Sequence, residues 1–451
     1  MILSWVCPQI RIFQVPLWSW IFFICLLATP FFLEGVSPIK VEVFAKGAIL
    51  MNAETGAVLW EKNAHYPMYP ASTTKMFTAL YALEKKGYAL DEMVTASYEA
   101  VSCVHPSIRR AINSQHPPHR LEFGGTHMGI KLGEILPLRS LIYGLMLTSG
   151  NDAANVIAEH VSGSISVFME ELNQFVRDKG ARNTVLYTPH GLPHEEHKTT
   201  AYDMALLAKE ALKNPLFREI VKSRQFIRPD TNKQPESILY QHNALVKPGK
   251  FYYPKAIGIK TGYTIIGGYS IVAAAEDNER KLIAVVLGCE KIEQRYKEVI
   301  ALFEAGFNEK KVSRTLFSKG FDLFSYPIEG ATAPLQAYLE QDIVLHYYPS
   351  EEPTFKTSIE WFAPVLPISS GQKVGEIQIK PYEGKILTAA PIYAVRNVEA
   401  TFSHRIYRVW KKGEKAIWDN VTWIMVAVGG IILASTYYYS HRSNAKSRKE
   451  R

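Results

Sequence analysis

Cysteine is scarce: the chain has four in 451 residues. That excludes a scaffold held together by disulfides. Charged residues are only 21% of the chain against 47% hydrophobic. This is an ordinary globular balance, and it excludes a mostly disordered chain. The 28 Gly and 25 Pro follow no period of three, so collagen-like and low-complexity readings fail. No internal repeat is visible. Lys and Arg exceed Asp and Glu by 51 to 43, a net charge of +8. No basic stretch is interleaved with aromatic residues, and part of the excess lies in a short C-terminal tail. Nucleic acid is therefore not an expected partner. The length suggests two or three domains at about 150 residues each.

The two ends carry the long apolar runs. Residues 1–40 have a mildly basic start around Arg11, then the charge-free run Val15–Leu33. That is the pattern of an export signal or an uncleaved N-terminal anchor. Near the other end lies Val421–Tyr439, about 28 Å long as a helix, close to the hydrocarbon thickness. Trp418 and Trp423 at one end, and Tyr437, Tyr438 and Tyr439 at the other, suit two membrane interfaces. Residues 440–451 add Arg442, Lys446, Arg448, Lys449 and Arg451. A basic tail after a span is expected on the cytoplasmic side, with the body outside. The competing reading of 421–439 is a hydrophobic core helix. Of the cysteines, Cys7 and Cys25 fall in the N-terminal segment. Cys103 and Cys289 are expected as two lone buried thiols rather than a pair.

The body divides in two by texture. Residues 46–62 alternate around Glu54-Thr55-Gly56 and predict a hairpin. Helical spacing follows Pro70, with Met76, Phe77, Leu80, Tyr81 and Leu83 on it. Residues 138–161 predict two helices broken at Thr148-Ser149-Gly150-Asn151; 164–179 and 200–213 predict further helices. Residues 256–288 predict two or three strands, and about 293–305 another helix. From 311 to 402 short alternating runs replace helical ones, which predicts a small all-β domain. Residues 403–420 read as a linker to the membrane.

Three short motifs carry chemistry. Ser72-Thr73-Thr74-Lys75 places a hydroxyl and an amine at i and i+3 of a helix, on one face. A Ser hydroxyl is a poor nucleophile unless a base takes its proton. Lys75 serves as that base only with a lowered pKa. Ser149-Gly150-Asn151 lies at a helix break. Lys260-Thr261-Gly262 ends an apolar run, with a cation and a hydroxyl side by side and a Gly that admits close backbone approach. Each motif is weak alone; the set, in this order and context, is specific.

That set resembles the penicillin-recognising serine enzymes. Ser-Gly-Asn, rather than Ser-Asp-Asn, is similar to the low-molecular-mass D-alanyl-D-alanine carboxypeptidases. So are Tyr69-Pro70-Ala71-Ser72, Ser149-Gly150-Asn151-Asp152-Ala153, Pro189-His190-Gly191-Leu192, Thr200-Ala201-Tyr202-Asp203 and Lys260-Thr261-Gly262-Tyr263-Thr264. The resemblance covers about 46–310. It implies an α+β fold: a β-lactamase-like transpeptidase domain over 41–310, with an antiparallel sheet, helices on both sides and a helical subdomain. A small all-β domain and a C-terminal transmembrane helix would follow.

The resemblance also implies roles. Ser72 is the nucleophile and Lys75 its base. Ser149 relays a proton to the leaving amine, and Asn151 holds Lys75 and the substrate amide. The backbone N–H groups of Ser72 and Tyr263 form the oxyanion hole. Lys260, Thr261 and Gly262 bind substrate. Arg295 falls where the family places a carboxylate-binding Arg, and its other reading is a solvated helix charge. The implied substrates are peptidoglycan stem peptides, with β-lactams as inhibitors, no cofactor and no metal. A D,D-endopeptidase is the runner-up; a β-lactamase or a non-catalytic wall-binding scaffold stands further back.

Residues 103–120 depart from the family texture and read as a rewritten loop over the cleft. His105, His116, His119 and His127 are expected as solvated loop residues, not zinc ligands. His194-Glu195-Glu196-His197 has i, i+3 spacing after Pro193, whereas a zincin helix needs i, i+4.

Overall fold

The computed structural model describes residues 39–447, apart from 112–113, 279, 363–364 and 382–385. The apolar run Val15–Leu33 and the tail residues Arg448, Lys449 and Arg451 lie outside the described residues. The described residues form two compact units, one up to 310 with 348–351, the other 311–347 with 352 onwards.

The first unit is built on one five-stranded sheet. Its strands are β1 (Gly47–Asn52), β2 (Val58–Lys62), β3 (Ala256–Thr264), β4 (Gly268–Asp277) and β5 (Arg280–Cys289). Their order is β2-β1-β5-β4-β3, all antiparallel. Period-two alternation sends neighbouring residues to opposite faces. Ile49, Met51, Val272, Ala274, Ile283 and Val285 join one core. Ala48, Leu50, Ile271, Ala273, Leu282 and Ala284 join the other. Both faces are therefore dry, which is why these strands read as continuous apolar runs.

The helices fall on the two cores. Helices α1 (Lys75–Lys86), α2 (Leu138–Tyr143), α3 (Asn151–Ser162), α4 (Ile165–Asp178), α5 (Ala201–Lys213) and α6 (Pro215–Lys222) contribute to the first. Helix α7 (Ile292–Phe307) covers the second with Tyr296, Val299, Leu302 and Phe303. The antiparallel sheet with helices on both faces and a helical side matches the expected fold class. Helix α6 was not foreseen, although Asn214 caps Leu216 and Phe217 and Pro215 opens the first turn.

The second unit is β-rich. Strands β6 (Val312–Phe317) and β9 (Ile343–Tyr347) pair as a ribbon. A five-stranded sheet joins β7 (Leu323–Tyr326), β8 (Leu335–Leu339), β10 (Phe355–Trp361), β11 (Lys373–Pro381) and β12 (Thr388–Ala394) in the order β7-β8-β12-β11-β10. Leu335, Leu339, Ile377, Ile379 and Ile392 form its core. Helix α8 runs unbroken from Phe402 to Ser447. The 403–420 segment is thus the first part of this helix. Ala, Lys, Glu and Arg are helix formers, and Phe402–Asn420 holds no Pro. Among the described residues, Phe402–Tyr437 is long and apolar enough to cross a membrane.

Two further expectations change. His119 is buried, with Nε2 2.6 Å from Glu99 Oε1, and is not a solvated loop residue. Burial holds its pKa below the usual histidine range. The reason is local order: Cys103–Val104 pairs in parallel with Leu121–Glu122, which fixes both ends of the loop. Cys103 and Cys289 are free thiols, but only Cys289 is buried. Burial pushes the Cys289 thiol up to about 12.

Candidate active site

The turn that bears Ser72 comes first. Ala71–Thr74 is a 3-10 turn that runs into α1. Ala71 itself has φ +54, a left-handed backbone that a non-Gly residue adopts at some cost. The turn is pinned from three sides. Thr73 Oγ1 donates to Pro70 O at 2.6 Å. Thr74 Oγ1 lies 3.0 Å from His197 Nε2, and both groups are buried. Gly191 packs against Ala71 so closely that a Cβ there would lie 1.9 Å from Ala71 O.

Lys75 is fully buried beneath Ser72. Its Nζ lies 2.9 Å from Ser72 Oγ, 2.7 Å from Asn151 Oδ1 and 2.7 Å from His190 O. Burial drives its pKa well below the usual lysine value; the Lys260 charge lowers it further and Asp152 opposes. His190 O is a contact that the motifs did not name, although Pro189-His190-Gly191-Leu192 was visible in the sequence. The His190 ring is also buried, and lies between His119 O and Leu192 N–H.

Ser149 and Asn151 come from the helix break. Residues Gly144–Thr148 form a wide π turn that ends at Ser149, φ +64. Helix α3 then starts at Asn151 and points its Oδ1 at Lys75. Asp152 anchors this start. Its carboxylate accepts from the N–H groups of Met128, Gly129, Ile130 and Ala153 at 2.8–3.0 Å. Ser149 Oγ is buried with no hydrogen-bond partner among the described residues. The structure brings Lys75, Ser72 and Asn151 into contact but leaves the Ser149 hydroxyl unengaged.

Lys260-Thr261-Gly262 lies on β3, the edge strand of the sheet. A Cβ at Gly262 would lie 3.0 Å from both Ser72 N and Pro70 O. The Gly is thus what lets the strand reach the turn that bears Ser72. Lys260 is buried, with Nζ donating to Thr261 O at 3.0 Å. Burial, and then the charge of Arg295, bring its pKa down to about 7. Tyr263 is half-exposed and stacks on Tyr269 at 4.3 Å.

Arg295 differs from one of the two readings of its sequence position. It is not a solvated helix charge, being only 7% exposed. Its Nη1 donates to Gly262 O at 3.1 Å, and Nη2 to Tyr296 Oη at 3.1 Å. It holds the backbone of the β3 strand and places a second cation beside Lys260.

The arrangement is a buried amine against a serine hydroxyl, with a cationic strand at its side. The family model for D-alanyl-D-alanine carboxypeptidase matches residues 34–291. The chain belongs to this family. It is therefore a peptidase of the serine type. D-alanyl-D-alanine carboxypeptidase DacF of Bacillus subtilis (strain 168) is 29% identical over 384 residues, 82% of this chain and 90% of that protein. DacC of Escherichia coli (strain K12) is 32% identical over 274 residues, 59% of this chain and 62% of that protein. Among solved structures, penicillin binding protein 5 from Haemophilus influenzae is 25% identical with a TM-score of 0.53; 80% of this chain and 99% of that chain are covered. For this member of the family, α8 is the candidate membrane anchor.

Proposed function

We propose that the chain removes the terminal D-Ala from peptidoglycan stem peptides through an acyl-enzyme on Ser72. One observation carries the reading: the three neighbours of Lys75 Nζ. A neutral amine has two N–H donors and one lone pair. Asn151 Oδ1 and His190 O are carbonyl oxygens and can only accept. They take the two N–H groups. The lone pair then faces Ser72 Oγ, 2.9 Å away. For the neutral amine the Ser72 hydroxyl is then the donor, with its proton pointing at the base.

Ser72 Oγ attacks the carbonyl between the two D-Ala residues as Lys75 takes the proton. The developing oxyanion lies at the N–H groups of Ser72 and Tyr263; one such donor is typically worth about 3 kcal/mol. Lys260 and Arg295 supply positive potential for the substrate's terminal carboxylate, and Thr261 contacts it. Ser149, with its hydroxyl unengaged, relays the proton to the leaving amine. D-Ala departs, leaving an ester on Ser72. Water then hydrolyses that ester, and the proton returns to Ser72. A β-lactam imitates the dipeptide and leaves a slow ester on the same oxygen.

The domain reading is that 41–310 is the catalytic domain, 311–402 a spacer, and 421–439 the membrane span. The body stands outside the cytoplasmic membrane and the tail inside. The basic tail and the interfacial aromatics support that orientation.

The test is D-alanine release from a soluble peptide ending in D-Ala-D-Ala, using the full chain in detergent beside Ser72→Ala. Release by the parent and none by the variant is expected. Equal release by both would remove Ser72 as nucleophile. No release by either would move the activity to crosslinked peptides or to none.

A further inference from the structure

The carbonyl that meets Lys75 belongs to a short turn, and that turn is tied to the 103–120 loop. Lys75 Nζ lies 2.7 Å from His190 O. Around this carbonyl residues 188–192 bond to themselves. Gly191 N–H donates to Thr188 Oγ1 at 3.0 Å, and Leu192 N–H donates to His190 Nδ1 at 3.1 Å. Other bonds fix the segment against its surroundings. Thr78 Oγ1 of α1 donates to Pro189 O at 2.6 Å. Arg109 Nη1 donates to Pro193 O at 3.2 Å, and His190 Nε2 lies 3.1 Å from His119 O. The last two come from the loop that departs from the family texture.

The His190 ring is a link with two different ends. A backbone N–H only donates and a backbone carbonyl only accepts. Nδ1 is therefore the bare nitrogen, against Leu192 N–H, and Nε2 carries the hydrogen that His119 O accepts. The ring is fully buried. Burial holds its pKa well below the usual histidine range, and Lys75, Arg109 and His119, which face it, add to that. It stays neutral in this one tautomer. The far end is firm. His119 O also accepts from Asn155 Nδ2 at 2.9 Å, and Arg109 Nη2 donates to the neighbouring Pro118 O at 2.7 Å. The His119 ring itself meets Glu99 Oε1 at 2.6 Å.

We infer that His190 is a positioning residue: its ring carries the hold of the 103–120 loop to the carbonyl that aims the Lys75 lone pair at Ser72. The inference rests on the reading of Lys75 as the base. If that carbonyl swings away, the amine loses one of its two acceptors, and its lone pair is no longer confined to Ser72 Oγ. The loop then governs the rate of attack rather than the binding of the ligand attacked.

Three substitutions separate the two ends of the ring. Gln places an amide N–H where Nε2 stands and keeps the bond to His119 O. Asn places an oxygen where Nδ1 stands and keeps only the bond from Leu192. Leu keeps neither. The readout is acylation by benzylpenicillin on the full chain in detergent, resolved into a binding constant and a first-order rate. His190→Leu and His190→Asn should lower the rate by about 30-fold to 100-fold, the scale of a small misplacement at a reacting centre. The binding constant should stay near that of the parent, and His190→Gln should stay near the parent in both. The pH profile tells positioning from partial unfolding. A carbonyl acceptor favours the charged amine, so its loss moves the acid limb of His190→Leu to lower pH. Partial unfolding would slow the variant without moving that limb. An unmoved limb, a His190→Leu rate close to that of the parent, or His190→Asn as fast as His190→Gln would overturn the inference and leave Lys75 as the base. If His190→Leu does not fold, the native chain carries the test. His190-Gly191 is the one His-Gly step in the sequence, so isotope labels on histidine carbonyls and glycine nitrogens identify His190 by magnetic resonance. Its ring should be neutral with the hydrogen on Nε2; a charged ring, or the hydrogen on Nδ1, would overturn the inference. A parent chain that benzylpenicillin does not acylate would overturn the reading of the base as well.

Discussion

Gly262 on edge strand β3 and Ser72 on the 3-10 turn before α1 approach so closely that a single methyl at Gly262 would stand 3.0 Å from the Ser72 nitrogen. The same methyl would also meet Pro70 O at 3.0 Å and Ala71 Cβ at 3.1 Å. Two of these three are backbone atoms and cannot rotate away. Gly262→Ala should therefore push β3 off the turn rather than disturb the core. A misplacement near 1 Å at the reacting centre costs on the order of 100-fold in rate. Acylation by benzylpenicillin should slow by about that factor, with little change in thermal midpoint. A large fall in midpoint at native acylation rate would contradict this placement.

Ser149→Ala separates chemistry from stability. Ser149 Oγ is buried and has no partner among the described residues, so its removal frees no other group. The backbone at φ +64 is equally strained for Ser and Ala. Stability should stay within about 0.5 kcal/mol of the parent or rise slightly. Turnover should fall about 100-fold or more if the hydroxyl relays the leaving-group proton. Urea denaturation and D-alanine release, measured side by side, check both halves.

The two lysines give a signed pH prediction. In the proposed mechanism attack needs neutral Lys75, and the Lys260 charge is one cause that lowers the Lys75 pKa. Lys260→Met removes that charge, so the Lys75 pKa rises and the acid limb of the acylation profile moves to higher pH. Stability moves too. Lys260 titrates at about 7 in the folded chain, against 10.5 as its ordinary value. Between those values the unfolded chain binds the extra proton, so native stability falls as pH drops from 10.5 to 7. Lys260→Met should thus outlast the parent most below pH 7, and lose that advantage towards pH 10.5. Denaturation midpoints across this range read it directly.

Asp152→Ala should act in the opposite direction on Lys75. The carboxylate raises the Lys75 pKa, so its loss moves the acid limb to lower pH. It also strands the N–H groups of Met128, Gly129 and Ile130, which now bond to it. A buried group left unpaired costs about 1–3 kcal/mol, so a destabilisation of about 3 kcal/mol or more is expected by urea denaturation.

Much of this was legible in the sequence because it is periodic or local. Strands buried on both faces gave uninterrupted Ile, Val and Ala at 256–288. The i, i+3 spacing put Lys75 under Ser72. Asn151 on Lys75 was implied by the family resemblance. What stayed hidden depends on long-range contact. The His190 carbonyl reaches Lys75 across 115 positions, and any residue has such a carbonyl. Arg295 is not in solvent but holds the Gly262 carbonyl, since α7 packs its face against the strands. His119 sits in a polar, Pro-rich loop whose composition says solvent, yet its ring is covered and paired with Glu99. Charge pairing within 103–120 could not be seen, because Glu122 gathers two Arg side chains only once the loop is folded.

The central claim is that a dry, neutral Lys75 takes the Ser72 proton. The most direct test is the rate at which benzylpenicillin adds to the peptide bearing Ser72, read by mass on the full chain and on Lys75→Met. Methionine keeps the bulk of the buried side chain and has no basic nitrogen. The account predicts that adduct formation on Ser72 slows by about 100-fold to 10,000-fold in a folded variant. Acylation of Ser72 within a few-fold of the parent rate would contradict it.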